Sequence, residues 1–236
     1  MTNLKIGSTI ATSNRPLIAV PVMGATVDDV LVMLEQANIS QADVIEWRVD
    51  YLENPGELQA SQMRTIAFNA VKPLIVTWRT TDEGGQKDYD RATYQWVYQL
   101  AIASQVAALD DEVTLINEMA DVIEDAKSQA ITVIGSRHYF NDTPSSLEVE
   151  LQTMIGMPTD VVKLAVMPDS SADVQRLLDA TKSANQTKPL ITMSMGEIGQ
   201  RSRFEGYQYG SQLTFGSLGK DSAPGQPSVA QIRAFF

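Results

Sequence analysis

Short apolar or β-branched runs recur about every thirty residues along this chain, and amphipathic stretches separate them. That alternation is the strongest constraint on the fold. Strands buried on both faces read as continuous apolar runs, and parallel neighbours need a helical crossover between them. The runs predict strands over 16–23, 43–50, 73–79, 105–112, 130–137, 160–167, 189–195 and 211–216. Helices are predicted over 27–37, 57–70, 90–103, 114–128, 145–155 and 171–184, the first opened by Thr26 and Asp29 at capping-box spacing. Eight strands alternating with helices in 236 residues predict an α/β chain folded as a (β/α)₈ barrel. A doubly wound sheet would normally show fewer strands and a glycine-rich turn after the first, and Met23-Gly24-Ala25 is not one. No Pro/Gly/Ser-rich linker divides the chain, so one domain is expected over 1–236, with the polar residues 1–15 as a hairpin extension over one end.

A barrel turns alternate strand residues inward and gathers its site at the C-terminal strand ends. In Val44-Ile45-Glu46-Trp47-Arg48-Val49-Asp50, the period of two puts Glu46, Arg48 and Asp50 on one face. Thr77 and Arg79 repeat the pattern at the end of the third run, and Asp110 and Glu112 at the end of the fourth. His138, the only histidine, follows the fifth, and Met193 and Met195 share a face on the seventh. Lys163 differs, lying inside the apolar run Val161-Val162-Lys163-Leu164-Ala165-Val166. A buried ammonium must snorkel, find a partner or lose its proton, and the last outcome yields an amine able to attack a carbonyl carbon. Each residue has an ordinary explanation when taken alone: a satisfied histidine, a lysine reaching water, methionines that pack, carboxylates pairing with arginines. Their convergence on one barrel mouth is what predicts a site. Asp110 and Glu112 are assigned no chemical step, and Asp50 is read as a structural partner for a cation.

Composition removes whole classes of function. With no cysteine there is no disulfide, thiolate metal site or cysteine nucleophile, and one histidine excludes a His-rich metal site. A net charge of −11 disfavours nucleic acid or an anionic membrane as partner. No segment reaches transmembrane length and no leader pattern opens the chain, so a cytoplasmic protein is expected.

These residues carry a family resemblance that runs nearly end to end. The chain resembles type I 3-dehydroquinate dehydratases in Glu46-Trp47-Arg48-Val49-Asp50, in Arg79 with Glu83-Gly84-Gly85, and in His138-Tyr139-Phe140 before Thr143-Pro144. The match continues through Lys163-Leu164-Ala165-Val166-Met167-Pro168, Met193-Ser194-Met195-Gly196 with Ser202-Arg203, and Thr214-Phe215-Gly216 with Ser222-Ala223-Pro224-Gly225-Gln226. The resemblance implies a (β/α)₈ barrel, commonly a homodimer, that dehydrates 3-dehydroquinate in the shikimate pathway of aromatic amino acid biosynthesis. It implies no metal or organic cofactor.

Carried over by position, it makes Lys163 the imine-forming nucleophile, His138 the general acid–base and Glu83 the residue orienting it. Glu46, Arg48 and Arg79 would hold substrate hydroxyls and Arg203 the carboxylate. Met193, Met195, Phe140 and Phe215 would line the ring pocket, and Ser222 and Gln226 would close over it. Pro21 stands where relatives often place a serine, and Tyr139 where an aspartate is common. The chain ends at Phe236, so the helix after the eighth strand would be about two turns long. The chemistry is coherent on its own terms: an iminium is an electron sink, and a histidine moves protons near neutral pH. Arg48, Arg79 and Arg203 would attract an anion and favour the neutral amine of Lys163. Two other readings stay open. One is a lysine-imine aldolase on the same barrel, with Gly196-Glu197-Ile198-Gly199 as a phosphate loop. The other is a non-catalytic barrel that binds a small anion.

Overall fold

The computed structural model describes residues 2–184, 187–219 and 225–236. Eight parallel strands form the barrel: β1 Leu17–Val22, β2 Val44–Arg48, β3 Leu74–Thr77, β4 Ala108–Glu112, β5 Thr132–Tyr139, β6 Val161–Val166, β7 Leu190–Ser194 and β8 Leu213–Phe215. Neighbours in sequence are neighbours in space, and β8 returns to pair with β1. A parallel bridge between Leu190 and Ser211, with Gln212 N–H donating to the Leu190 carbonyl at 2.8 Å, closes β7 against β8.

The helices are α1 Val27–Ile39, α2 Ala60–Asn69, α3 Arg91–Ala103, α4 Ala120–Ser128, α5 Leu147–Ile155, α6 Ser171–Ser183, α7 Gln200–Glu205 and α8 Val229–Phe235. Local chemistry fixes their starts. Thr26 and Asp29 form the expected capping box, and Ser170–Asp173 and Ser228–Gln231 repeat it. The short α7 was not among the helices predicted from the sequence. The predicted 57–70 and 114–128 each divide into a 3₁₀ turn and a shorter helix.

Strand alternation sorts side chains into two cores. Ile18, Val20, Ile45, Trp47, Val76 and Val133 face outward against the helices. Leu17, Val44, Ile75, Ala108, Ile134 and Val161 face inward at the N-terminal end of the barrel. There the antiparallel hairpin Lys5–Ile6/Thr9–Ile10 covers them with Leu4, Ile6 and Ala11. Two residues further along β2 to β6 the interior turns polar, with Glu46, Thr77, Asp110, Ser136 and Lys163 all buried, while β1, β7 and β8 stay apolar with Ala19, Met193 and Phe215.

Strand ends differ from the sequence expectation in ways that shape the mouth. β2 stops at Arg48, and Asp50 lies in a 3₁₀ turn over Val49–Tyr51. β3 stops at Thr77, because the buried Tyr98 hydroxyl accepts from Trp78 N–H at 3.2 Å and donates to the Asp110 carbonyl. With Thr77 opposite Asp110, those two groups would form the next ladder bond, so the tyrosine wedges β3 from β4. β5 instead continues to Tyr139, which places His138 inside the strand, not after it.

Candidate active site

Lys163 projects into the barrel from the middle of β6 and is 4% exposed. Its Nζ donates to Asp110 Oδ2 at 2.7 Å and Glu46 Oε1 at 3.2 Å, and lies 4.6 Å from the centroid of the Phe215 ring. Thr77 donates to the same Glu46 oxygen at 3.1 Å. The neighbourhood is therefore not the cationic one expected from the sequence: carboxylates, not arginines, stand nearest the amine. The arginines are matched elsewhere. Arg48 binds Asp50 through Nε at 2.8 Å and Nη2 at 2.7 Å. Arg79 donates to Asp110 at 2.6 Å, Ser136 at 2.9 Å and Glu112 at 3.1 Å. A cation buried so completely persists only when its charge and hydrogens are met. Asp110, although buried, is held well below the usual carboxylate range by Lys163 and Arg79.

His138 comes from β5 and faces the same space. Its backbone N–H donates to Glu83 Oε2 at 3.0 Å, and its Nδ1 lies 3.1 Å from that oxygen. Burial, reinforced by Arg79 and Lys163, holds the imidazole well below its usual range, so the ring is neutral at neutral pH. With Glu83 accepting from Nδ1, the other ring nitrogen is the proton acceptor. Burial also pushes the Glu83 carboxyl up to about 7, against the pull of Arg79 and Arg137. Glu83 owes its position to a tight turn. Gly84 sits at φ +79°, and a Cβ there would meet the Phe140 ring at 2.4 Å; a Cβ on Gly85 would lie 1.8 Å from the Arg79 carbonyl oxygen.

The pocket between these groups has an empty volume of about 480 Å³. Phe140, Met193, Met195 and Phe215 supply its apolar wall, and Arg203, Gln226, Glu46, Arg48 and Arg79 also line it. Arg203 is 2% exposed, with Nη1 3.8 Å from Met193 Sδ. Of the positions singled out from the sequence, Ser222 lies outside the described residues, as do Ala223 and Pro224 of the same motif. Sequence reasoning missed the hydrogen-bonding part of Ser136, the contact of Asp110 with Lys163, and Arg137, which donates to Glu83 Oε1 at 3.0 Å. The period of two marks Ser136 and Asp110 as inward-facing, but their partners lie on other strands. Among the described residues no cluster of acidic or histidine side chains is arranged to hold a metal ion. The arrangement offers a buried amine, a neutral imidazole backed by a carboxyl group, and arginines around a small polar cavity. That set suits carbonyl addition followed by proton transfer.

The type I 3-dehydroquinase family model matches residues 18–236. A 3-dehydroquinate dehydratase of Lactiplantibacillus plantarum is 35% identical over 240 residues, covering 98% of this chain and 93% of the relative. One from Klebsiella pneumoniae is 39% identical over 230 residues, covering 92% and 90%. The crystal structure of the type I 3-dehydroquinate dehydratase of Clostridium difficile, carrying covalently modified comenic acid, superposes with a TM-score of 0.91 at 32% identity, over 99% of this chain and 96% of that one.

Proposed function

The chain belongs to the type I 3-dehydroquinase family and is a hydro-lyase acting on 3-dehydroquinate; we propose that it works through an imine on Lys163, with His138 moving the protons and Glu83 holding His138. The observation that carries this reading is the burial of Lys163 and His138 in one pocket, the amine oriented by Asp110 and Glu46 and the imidazole backed by Glu83.

The steps follow from the groups present. Lys163 gives up its ammonium proton and adds to the substrate ketone; that proton ends on the carbinolamine oxygen, which leaves as water, and a protonated imine remains. Electron withdrawal by that imine acidifies the adjacent carbon. Neutral His138 takes a proton from it, and the resulting imidazolium is supported by the Glu83 carboxylate. The same ring then protonates the hydroxyl one carbon further along, which leaves as water. Hydrolysis of the conjugated imine returns the Lys163 amine and releases 3-dehydroshikimate. Arg203 takes the substrate carboxylate, as a planar guanidinium suits a planar anion. Glu46, Arg48 and Arg79 face the hydroxyls, Phe140, Met193, Met195 and Phe215 the ring, and Gln226 and Ser222 the mouth. The reading also carries a homodimer, which sedimentation would reveal as about twice the 25.9 kDa of one chain.

The activity is read from the absorbance of the conjugated product. General acid–base catalysis contributes about 10²–10⁴ in rate. His138→Ala should therefore lose at least that factor while still forming a borohydride-trappable adduct on Lys163. A His138→Ala protein with near wild-type turnover would contradict the assignment.

A further inference from the structure

Arg137 precedes His138 on β5, has no part in the chemistry above, and still reaches the site. Its side chain is 28% exposed, and its Nη1 donates to Glu83 Oε1 at 3.0 Å. The guanidinium lies over the Tyr139 ring, 5.1 Å from the centroid. A flat, neutral support of this kind steadies the group while leaving its hydrogens for the carboxylate. The two oxygens of Glu83 thus have separate duties: Oε1 meets Arg137, and Oε2 meets both the backbone and the ring of His138.

We propose that Arg137 is a positioning residue that holds Glu83 turned toward His138 and supplies a counter-charge to its outer oxygen. This rests on the reading of His138 as the proton carrier. The surroundings of each group support it. Glu83 faces Arg79 after β3, Glu112 of β4, and Arg137 and His138 of β5. Arg79 stands 3.5 Å from Glu83 but shares the same nitrogen with Glu112 and Ser136. Glu112 pushes Glu83 toward its protonated form. Arg137 is the cation that Glu112 and Asp110 do not share. His138 in turn faces Arg79, Lys163, Asp110 and Arg48, and Arg137 faces Tyr139 and Glu150 besides Glu83. Burial and Glu112 push Glu83 up to about 7 even against the pull of Arg79 and Arg137, so its charge near neutral pH is sensitive to each neighbouring cation. Loss of Arg137 raises the carboxyl further. The imidazolium formed during turnover then loses its counter-charge.

The test compares kcat and KM against pH for the wild type, Arg137→Met and Arg137→Lys, with circular dichroism as the check on folding. An opposite charge at this distance lowers a carboxyl by about one unit at the weak end of the range, as suits a partly exposed arginine. In Arg137→Met the acid limb of kcat should therefore move up by about one unit, lowering kcat about tenfold below the limb, with KM nearly unchanged. Arg137→Lys, which keeps the charge, should hold the limb near its wild-type position. An unmoved limb in Arg137→Met, or equal displacement in both variants, would overturn the assignment. If Arg137→Met does not fold, Arg137→Gln reads the same limb. Turnover of His138→Ala separates the two claims. Near wild-type turnover there counts against His138 as the proton carrier, whereas its loss together with an unmoved limb in Arg137→Met counts against Arg137 alone.

Discussion

Arg201 and Arg203 sit two positions apart on α7, and their surroundings give them different work. Arg201 is exposed and engaged outside the pocket, with Nε 2.7 Å from Glu205 and Nη1 2.8 Å from Gln175. Arg203 is buried at the cavity wall, and Ser202 beside it ties α7 to β7 by accepting Ser194 N–H at 2.8 Å. Removing one partner of a charged, hydrogen-bonded pair costs about 2–5 kcal/mol. Arg203→Ala should thus raise KM for 3-dehydroquinate by more than tenfold, while Arg201→Ala leaves it within about twofold. Steady-state kinetics of the two variants decides this, and the reverse order would mean that Arg203 does not hold the carboxylate. At this scale the sequence was legible for what each side chain is, and less so for what it meets. The apolar neighbours of Lys163 announced its burial. Its partners Asp110 and Glu46 lie 53 and 117 residues away, and only the barrel's register brings them to the amine.

β4 shows what an element adds to its residues. Alternation sends Asp110 and Glu112 into the barrel, where Arg79 meets both. Asp111 between them must face the helices, where it is 2% exposed and accepts from the Tyr94 hydroxyl at 3.0 Å. Burial pushes its carboxyl up to about 7 despite that bond. The unfolded chain releases this proton near the ordinary aspartate value of 3.8, so Asp111 is neutral in both states below that pH. As pH rises from there through about 7, the folded state alone retains the proton and stability falls, by roughly 4 kcal/mol at most. Asp111→Asn should therefore raise the melting temperature at pH 8 and have little effect near pH 4. A loss at pH 8, or equal changes at both, would contradict the argument. Strand and helix positions were legible because periodicity records burial, and the ends were not. The Tyr98 hydroxyl that stops β3 comes from α3, and no local signal near Thr77 announces it. β5 runs on to Tyr139 because β6 offers partners up to Val166.

The molecule as a whole places an apolar plug under a polar floor. Ile6 of the hairpin is fully buried against the inner ends of the strands. Truncating a buried isoleucine costs about 2–5 kcal/mol. Ile6→Ala should lower the melting temperature with kcat unchanged, because the hairpin lies at the end of the barrel opposite the pocket. A fall in kcat with no loss of stability would mean that the two ends are coupled. The barrel was legible as a count of alternating runs. The polarity of its interior was legible in part, since Glu46, Thr77, Asp110 and Lys163 interrupt apolar patterns. The matching of charges inside was not, and it reversed the expected surroundings of Lys163. Among the described residues no helix is long and apolar enough to cross a membrane. The most direct test of the account is borohydride reduction during turnover of 3-dehydroquinate, followed by peptide mass analysis. Irreversible loss of activity is expected, with one adduct, on the peptide carrying Lys163, absent in Lys163→Ala, which should be inactive. An adduct on Lys188 or Lys220, or full activity in Lys163→Ala, would contradict it.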